Sequence, residues 1–196
     1  LSASKEKLRK RMDSRRLYAS GSEWYRHLRP GTFAYIRPEK FIIKGIDRRA
    51  VVGLLTNETA FNGANCPAIL LEHNTGHHNN YLLGILNSRI ITSFLRGVCP
   101  PKLNGYTRFN ATNVNAIPIR SIDLKNQSDK KRHDRIVLLV GQIMSLQEKL
   151  SSAKTDLAKA SLERQITATD RQIDELVYEL YELTPEEIKI VEEATA

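Results

Sequence analysis

The sequence predicts an α+β fold: a small mixed β-sheet with packed helices, followed by a C-terminal antiparallel helical hairpin. Residues 32–55 contain short runs of β-branched and aromatic residues, which are typical of strands. Over Tyr81–Leu95, apolar residues recur at three- and four-residue spacing, which predicts a buried helix. Two heptad series in the last third of the chain predict the hairpin.

The first eighty residues predict one helix and then a series of strands. The helix covers Ser2–Arg16, with Leu8 and Met12 on one face. The predicted strands are Phe33–Ile36, Phe41–Ile46, Ala50–Leu55 and Ala68–Glu72. A segment of polar residues, Asn74–Asn80, then joins the sheet to the next helix.

The central helix is followed by an abrupt change in chemistry. Asn79 or Asn80 is expected to cap the helix at its start, and Gly97 to end it. The next segment, residues 100–115, is called the polar loop here. It carries Lys102, Asn104, Tyr106, Arg108, Asn110, Asn113 and Asn115. Cationic and amide donors mixed with aromatic rings suit phosphates and base edges.

The last third of the chain predicts two long helices and a short one. The first apolar seam is Ile136, Leu139, Ile143, Leu146 and Leu150, and the second is Leu162, Ile166, Thr169, Ile173, Leu176 and Leu180. Ser151–Asp156, where two serines and Thr155 can end one helix and cap the next, separates the two helices. Ile143 and Ile173 are expected to be buried at the centre of the seam. Thr184, followed by proline and two glutamates, predicts a capped final helix.

Charge is distributed unevenly along the 196 residues, which have a net charge of +8. Residues 1–50 contain 14 Lys/Arg against 5 Asp/Glu, whereas residues 128–196 contain 10 against 14. This asymmetry indicates a polyanionic partner for the front of the chain. A solvated basic surface with no partner would have the same composition.

Cysteine usage and hydropathy limit the class of protein further. Cys66 and Cys99 lie far apart without a ligand-like spacing, which argues against a zinc site or a disulfide framework. A reducing, cytoplasmic setting is therefore expected. No apolar run reaches the length of a membrane span, and the first residues do not resemble a signal peptide. Because the chain begins without Met, we expect it to be a fragment of a longer protein.

Three segments resemble the TaqI-like specificity domain, the C-terminal target-recognition domain of adenine-specific DNA methyltransferases and fused restriction–modification enzymes. The central one is LLGILNSRIITSFL with its polar loop and the closing AIPI at residues 116–119. Leu8–Pro30, which includes a Trp-Tyr pair, resembles the family's opening segment. Glu163–Ala194 resembles its closing helix.

The resemblance implies a connector helix at 1–19, a target-recognition domain at 20–127, and a hairpin arm with a short terminal helix at 128–196. It implies that the chain positions duplex DNA for modification by a catalytic domain of the same polypeptide. That domain would bind S-adenosylmethionine, in a bacterial or archaeal cytoplasm. Whether the parent enzyme also cleaves DNA stays open.

The family's catalytic motifs are missing from this sequence. There is no Gly-x-Gly loop for S-adenosylmethionine and no Asn-Pro-Pro-aromatic tetrapeptide to hold an extruded adenine. Pro100-Pro101 is preceded by Cys99 and does not substitute. We therefore expect the chain alone to be inactive as an enzyme, and we predict neither a metal site nor a cofactor on it.

Two sets of side chains are candidates for DNA contact. The base-reading candidates are Lys102, Asn104, Tyr106, Arg108, Asn62, Asn65, His77 and His78. The phosphate candidates are Arg26, Arg29, Arg37, Lys40, Lys44, Arg48 and Arg49. Because recognition loops vary between such domains, the resemblance assigns no individual base contact.

Three other functions remain possible from the sequence. A specificity subunit of a multisubunit restriction–modification system is the nearest, although such subunits usually carry two recognition domains and two helical spacers. A helical protein-interaction module would not bind DNA. A nuclease is disfavoured because His73, His77 and His78 lack the acidic or cysteine ligands of a metal site, and Glu187-Ile-Lys189 lacks a preceding Pro-Asp.

Overall fold

The computed structural model of the chain describes residues 2–13, 16–17, 24–25, 39–57, 66–71 and 77–196. The helices in these ranges are α1 (Lys5–Arg9), α2 (Asn79–Asn87), α3 (Arg89–Val98), α4 (Ala111–Val114), α5 (Gln127–Ser152), α6 (Asp156–Leu180) and α7 (Pro185–Thr195). The strands are β1 (Met12–Asp13), β2 (Arg16–Leu17), β3 (Lys40–Ile43), β4 (Ile46–Asp47), β5 (Val52–Leu55), β6 (Ala68–Ile69) and β7 (Thr107–Arg108). This mixture of small sheets and a helical C-terminal region confirms the predicted α+β class.

The strands in the described ranges form three small antiparallel sheets. β3 lies between β5 and β6, with Phe41 opposite both Leu54 and Ile69. β4 lies outside this sheet and pairs with β7, and β1 pairs with β2. The single strand predicted over Phe41–Ile46 is therefore wrong, because β3 and β4 belong to different sheets. The predicted strand Phe33–Ile36 lies outside the described residues.

The N-terminal helix is much shorter than predicted. After one 3-10 turn at Ser2–Ser4, α1 ends at Arg9. Met12 is 58% exposed and lies in β1, so it does not form an apolar helix face with Leu8. The predicted helix Ser2–Arg16 is thus wrong beyond its first half.

The central helix predicted over Tyr81–Leu95 is in fact two helices that meet at Ser88. Ser88 has an extended backbone, ends α2 and caps α3, since its side chain accepts a hydrogen bond from the Ile91 N–H at 3.4 Å. His78 caps α2 instead of the predicted asparagines, and α3 continues through Gly97 to Val98. The apolar periodicity runs through the break, which explains why it predicts one helix.

One hydrophobic core joins the small sheets to the C-terminal helices. Tyr81 and Ile85 of α2 are fully buried in it, together with Ile43 of β3 and Ile136 of α5. Gly84 lets α2 and α5 approach closely, because a Cβ atom there would lie 2.6 Å from Cγ2 of Ile136. The boundary near residue 128 stays a prediction, and the buried residues on its two sides belong to one hydrophobic cluster.

The C-terminal hairpin and its caps are as predicted. α5 and α6 pack along each other, Thr155 caps α6, and Thr184 with Glu187 forms a capping box at α7. Ile173 is buried as predicted, but the prediction that Ile143 is buried is wrong, since Ile143 is only partly buried against the core. In the described ranges, none of the helices has the length and apolar character needed to cross a bilayer.

Candidate nucleic-acid interface

The polar loop has a fixed shape at its tip. Backbone hydrogen bonds join the Arg108 N–H to the Pro100 carbonyl at 3.0 Å and the Lys102 N–H to the Tyr106 carbonyl at 2.7 Å. The chain reverses between these pairs in a 3-10 turn over Leu103–Gly105. This reversal needs positive φ angles of 60° at Asn104 and 75° at Gly105, which Asn and Gly tolerate better than other residues.

The return strand of the loop separates its inward and outward side chains. Thr107 and Phe109 are buried, whereas Tyr106 and Arg108 are exposed. Alternation of this kind follows from the two-residue period of an extended chain. The buried pair anchors the loop to the core, and the exposed pair is available to a ligand.

A basic turn, residues 44–49, lies directly beside the polar loop. β4 pairs with β7 so that Ile46 is opposite Arg108 and Asp47 is opposite Thr107. The guanidinium carbon of Arg48 therefore lies 5.3 Å from the centre of the Tyr106 ring, within the range of a cation–π interaction. One predicted phosphate residue and two predicted base readers thus share one surface.

Asp47 moderates the charge of this turn. Its carboxylate lies 2.6 Å from the Lys44 ammonium and also accepts a hydrogen bond from the Arg48 N–H at 2.6 Å. The hydrogen bond from Lys44 is the main cause that lowers the pKa of Asp47, and the same contact raises the pKa of Lys44. Both groups are therefore charged at neutral pH, and Lys44 has an internal counterion.

An arginine that the sequence did not single out completes this surface. An open depression at the loop tip is lined by Arg48, Arg49, Arg96, Asn104 and Gly105, together with Thr195 and Ala196. Arg96 lies in the last turn of α3, inside a segment whose apolar pattern predicted only a buried helix. The sequence feature that could have identified Arg96 is its position, one helical turn before the polar loop.

Arg49 and Lys40 have partners inside the protein. Arg49 pairs with Asp170 of α6 at 3.1 Å and donates to the Asn87 carbonyl at 3.0 Å, so it ties the basic turn to α2 and α6. Lys40 is fully buried, with its ammonium 3.4 Å from the Asn57 carbonyl. A buried ammonium cannot reach a phosphate, and we therefore leave Lys40 out of the proposed contacts.

The two histidine candidates lie at the start of α2. Nδ1 of His78 accepts a hydrogen bond from the Asn80 N–H at 3.1 Å and caps the helix. The His77 ring packs 5.3 Å from Tyr81, and burial lowers the pKa of His77, so its imidazole is neutral at pH 7. Both histidine side chains therefore make contacts within the protein at the start of α2.

The remaining candidates cannot be placed. Asn62, Asn65, Arg26, Arg29 and Arg37 lie outside the described residues, as does His73. Within the described part of the chain, no group of three or more His, Cys, Asp or Glu side chains could hold a metal ion.

Comparison with known proteins decides the family. The family model of the TaqI-like C-terminal specificity domain matches residues 2–119, which is more than half of the chain. The chain belongs to this family. No curated protein matches the chain at a significant level.

The match defines the specificity domain within the chain. It includes both the basic turn and the polar loop, which pair through β4 and β7. It ends before α5, so the resemblance assigned to Glu163–Ala194 lies outside the matched residues. Membership in this family supports a role in DNA recognition within a methyltransferase-type system.

Proposed function

We propose that this chain is the DNA target-recognition domain of an adenine-specific DNA methyltransferase or a fused restriction–modification enzyme. The observation that carries the proposal is the β4–β7 pairing, which places the basic turn against the polar loop. Protein–DNA interfaces need cations that fix register on the phosphates, next to side chains that read base edges. The family membership supports the same role.

The phosphate contacts are assigned to the cations around the loop tip. Arg48 and Arg96 line the depression beside it, and Lys102 is exposed on the loop itself. Lys44 adds a fourth cation, although Asp47 already neutralises part of its charge. Each phosphate that such a side chain neutralises steepens the log–log salt dependence of binding by about 0.9.

The base contacts are assigned to the exposed loop residues Asn104, Tyr106 and Arg108. An arginine can donate two hydrogen bonds to a guanine, and an asparagine can pair with an adenine edge. A good bidentate contact discriminates between bases by roughly 1–3 kcal/mol. The buried neighbours Thr107 and Phe109 hold Arg108 in place.

The domain would contribute position, and its catalytic neighbour would contribute the reaction. S-adenosylmethionine, when bound to that neighbouring domain, would supply the methyl group. An adenine must leave the base stack before its amino group can be modified. The specificity domain would hold the duplex in one register so that one chosen adenine reaches the catalytic site.

The test is a fluorescence-anisotropy titration of the whole chain. The probes are a duplex selected from a random library and its scrambled counterpart, each measured at several salt concentrations. Arg108→Ala and Asn104→Ala should lower the selected-to-scrambled ratio roughly tenfold each, within the range expected for one lost base contact. Arg48→Ala should weaken binding to both duplexes alike and reduce the salt slope by about 0.9.

Arg164→Ala is the matched control, since Arg164 is an exposed arginine of α6 in the hairpin. It should leave the ratio unchanged, because it removes the same charge away from the loop. If the chain has no affinity for any duplex at low salt, the proposal is wrong and a protein-interaction module replaces it. The coding sequence before Leu1 would separate a fused enzyme from a specificity subunit.

A further inference from the structure

We propose that Leu103 at the tip of the polar loop enters the DNA base stack and opens one base step. This inference rests on the proposed function, because it concerns how the same loop meets the duplex. Leu103 would act as an apolar wedge beside the loop residues that form hydrogen bonds with the bases. Leucine is among the side chains that proteins insert between base pairs to unstack them.

Leu103 has almost no contact with the protein. Its exposed fraction is 87%, against 39% for Tyr106 on the same loop. Single exposed leucines are ordinary on protein surfaces. Leu103 differs because its two neighbours in the chain, Lys102 and Asn104, are groups suited to DNA, and Asn104 lines the same depression as Arg48.

The backbone holds Leu103 outward. The Leu103 carbonyl accepts a hydrogen bond from the Tyr106 N–H at 3.4 Å, and the Lys102 N–H bonds to the Tyr106 carbonyl on the other side of the turn. Pro101 forms a β-bridge with Thr107 at the base of the tip. Proline restricts the backbone before the tip, so the loop is preorganised rather than free to fold Leu103 back onto the protein.

The position of Leu103 in the loop decides what it would meet. The chain reverses over Leu103–Gly105, so these residues lead when the loop approaches a groove. Arg48 and Arg96 line the depression at the tip, where they would meet the sugar–phosphate backbone. When these cations contact the phosphate backbones, the apolar tip of the loop faces the bases. The nonpolar surface that the duplex presents to it lies between stacked base pairs.

The experiment measures unstacking and binding on the same samples. The selected duplex carries 2-aminopurine at each adenine in turn and pyrrolocytosine at each cytosine, so that every base pair is probed. Both fluorophores brighten when they lose their stacking neighbours. The whole chain should brighten the probes on either side of one step severalfold and leave the others unchanged.

Variants assign the effect to the side chain. Leu103→Ala should abolish most of the brightening and weaken binding roughly tenfold or more, because three carbon atoms lose their burial. Leu103→Met, which keeps length and apolar character, should retain both. Leu157→Ala is the matched control, since Leu157 is 80% exposed in the hairpin and should change neither.

The outcomes separate this inference from the proposed function. If the chain binds the selected duplex specifically but no probe brightens, or Leu103→Ala brightens as wild type does, the wedge is wrong and DNA recognition stands. A Leu103→Ala variant that loses affinity while the wild type leaves every probe dark would indicate a groove contact and also overturn the wedge. If no duplex binds at low salt, both proposals fail.

Discussion

Asp174 is a carboxyl group buried between α6 and α3. Its Oδ1 accepts a hydrogen bond from the Arg89 N–H at 2.8 Å, and its Oδ2 lies 3.5 Å from Nε of Arg89. Arg89 is the first residue of α3, so the carboxylate meets the positive end of that helix. Burial nevertheless dominates and raises the pKa of Asp174 to about 6.

This raised pKa predicts a pH-dependent stability. The ordinary value is 3.8, so between about pH 4 and pH 6 the folded state binds more protons than the unfolded state. The free energy of unfolding should fall as pH rises through that window, by at most about 3 kcal/mol from this group. Asp174→Asn keeps the acceptor for Arg89 and should remove this dependence.

The measurement is urea unfolding of the wild type and Asp174→Asn from pH 4 to pH 8. The difference between the two cancels the titration of other groups. Asp174→Asn should be the more stable of the two at pH 8. A less stable variant at pH 8 would show that the ionised carboxylate stabilises the fold, contrary to this prediction.

At the scale of elements, the contact between α2 and α5 depends on one missing side chain. A Cβ at Gly84 would lie 2.6 Å from Cγ2 of Ile136 and 3.2 Å from Cγ2 of Val140. Both are branched close to the backbone and buried, so neither can move aside cheaply. Gly84→Ala should therefore destabilise the protein by about 1–3 kcal/mol, despite the better helix propensity of alanine.

Gly97→Ala is the matched control for this prediction. Gly97 also lies in a helix, but no atom lies within 4 Å of the Cβ position there. The substitution should be neutral or stabilise by up to about 1 kcal/mol. Thermal unfolding of both variants decides the matter, and equal effects would mean that α2 and α5 are not tightly packed at Gly84.

The hairpin seam predicts unequal effects of a buried charge. Ile173 is 4% exposed in the shared core, so Ile173→Asp should destabilise by several kcal/mol. Ile143 is partly buried and lines an open groove, so Ile143→Asp should cost less. Met144→Asp, at a position that is 50% exposed, should be close to neutral in the same unfolding experiment.

At the scale of the whole molecule, the hydrophobic core extends beyond the residues that the family model matches. The match ends at residue 119, whereas the core includes Ile136, Leu139, Ile173 and Val177 of the hairpin. α2 is buried in this core and packs against α5. The specificity domain therefore depends on the hairpin for its stability.

A chain ending at residue 126 should accordingly fail to fold. Removing α5 and α6 uncovers the buried apolar residues of α2, and a typical domain has only about 5–15 kcal/mol of stability to lose. Its thermal transition should be absent or non-cooperative by circular dichroism. A chain ending at residue 183 loses only α7 and should melt cooperatively at a lower temperature, since α7 contributes only Val191 to the buried residues. Cooperative melting of the shorter chain would contradict a shared core.

Local patterns account for what the sequence determined. The heptad seams placed α5 and α6, and Thr155 and Thr184 marked the starts of α6 and α7, because periodicity and capping depend on residues within a turn or two. The polar loop could be found for the same reason, since its composition contrasts with the helix before it. The α+β class followed from these local patterns, whereas the family was indicated by the resemblance of three segments to a known domain.

Only the tertiary structure decided which of these side chains meet. The pairing of β4 with β7 brings Arg48 to Tyr106, and the packing of α6 claims Arg49 through Asp170. Whether a lysine is exposed depends on which distant segments cover it, so no local pattern shows that Lys40 is buried. The break at Ser88 had a local signal, because serine can cap a helix. The cap of α3 is completed only by Asp174 of α6, which accepts a hydrogen bond from the first free N–H of α3. Contacts of this kind are set by long-range packing, and a sequence pattern records only the short-range part of the energy.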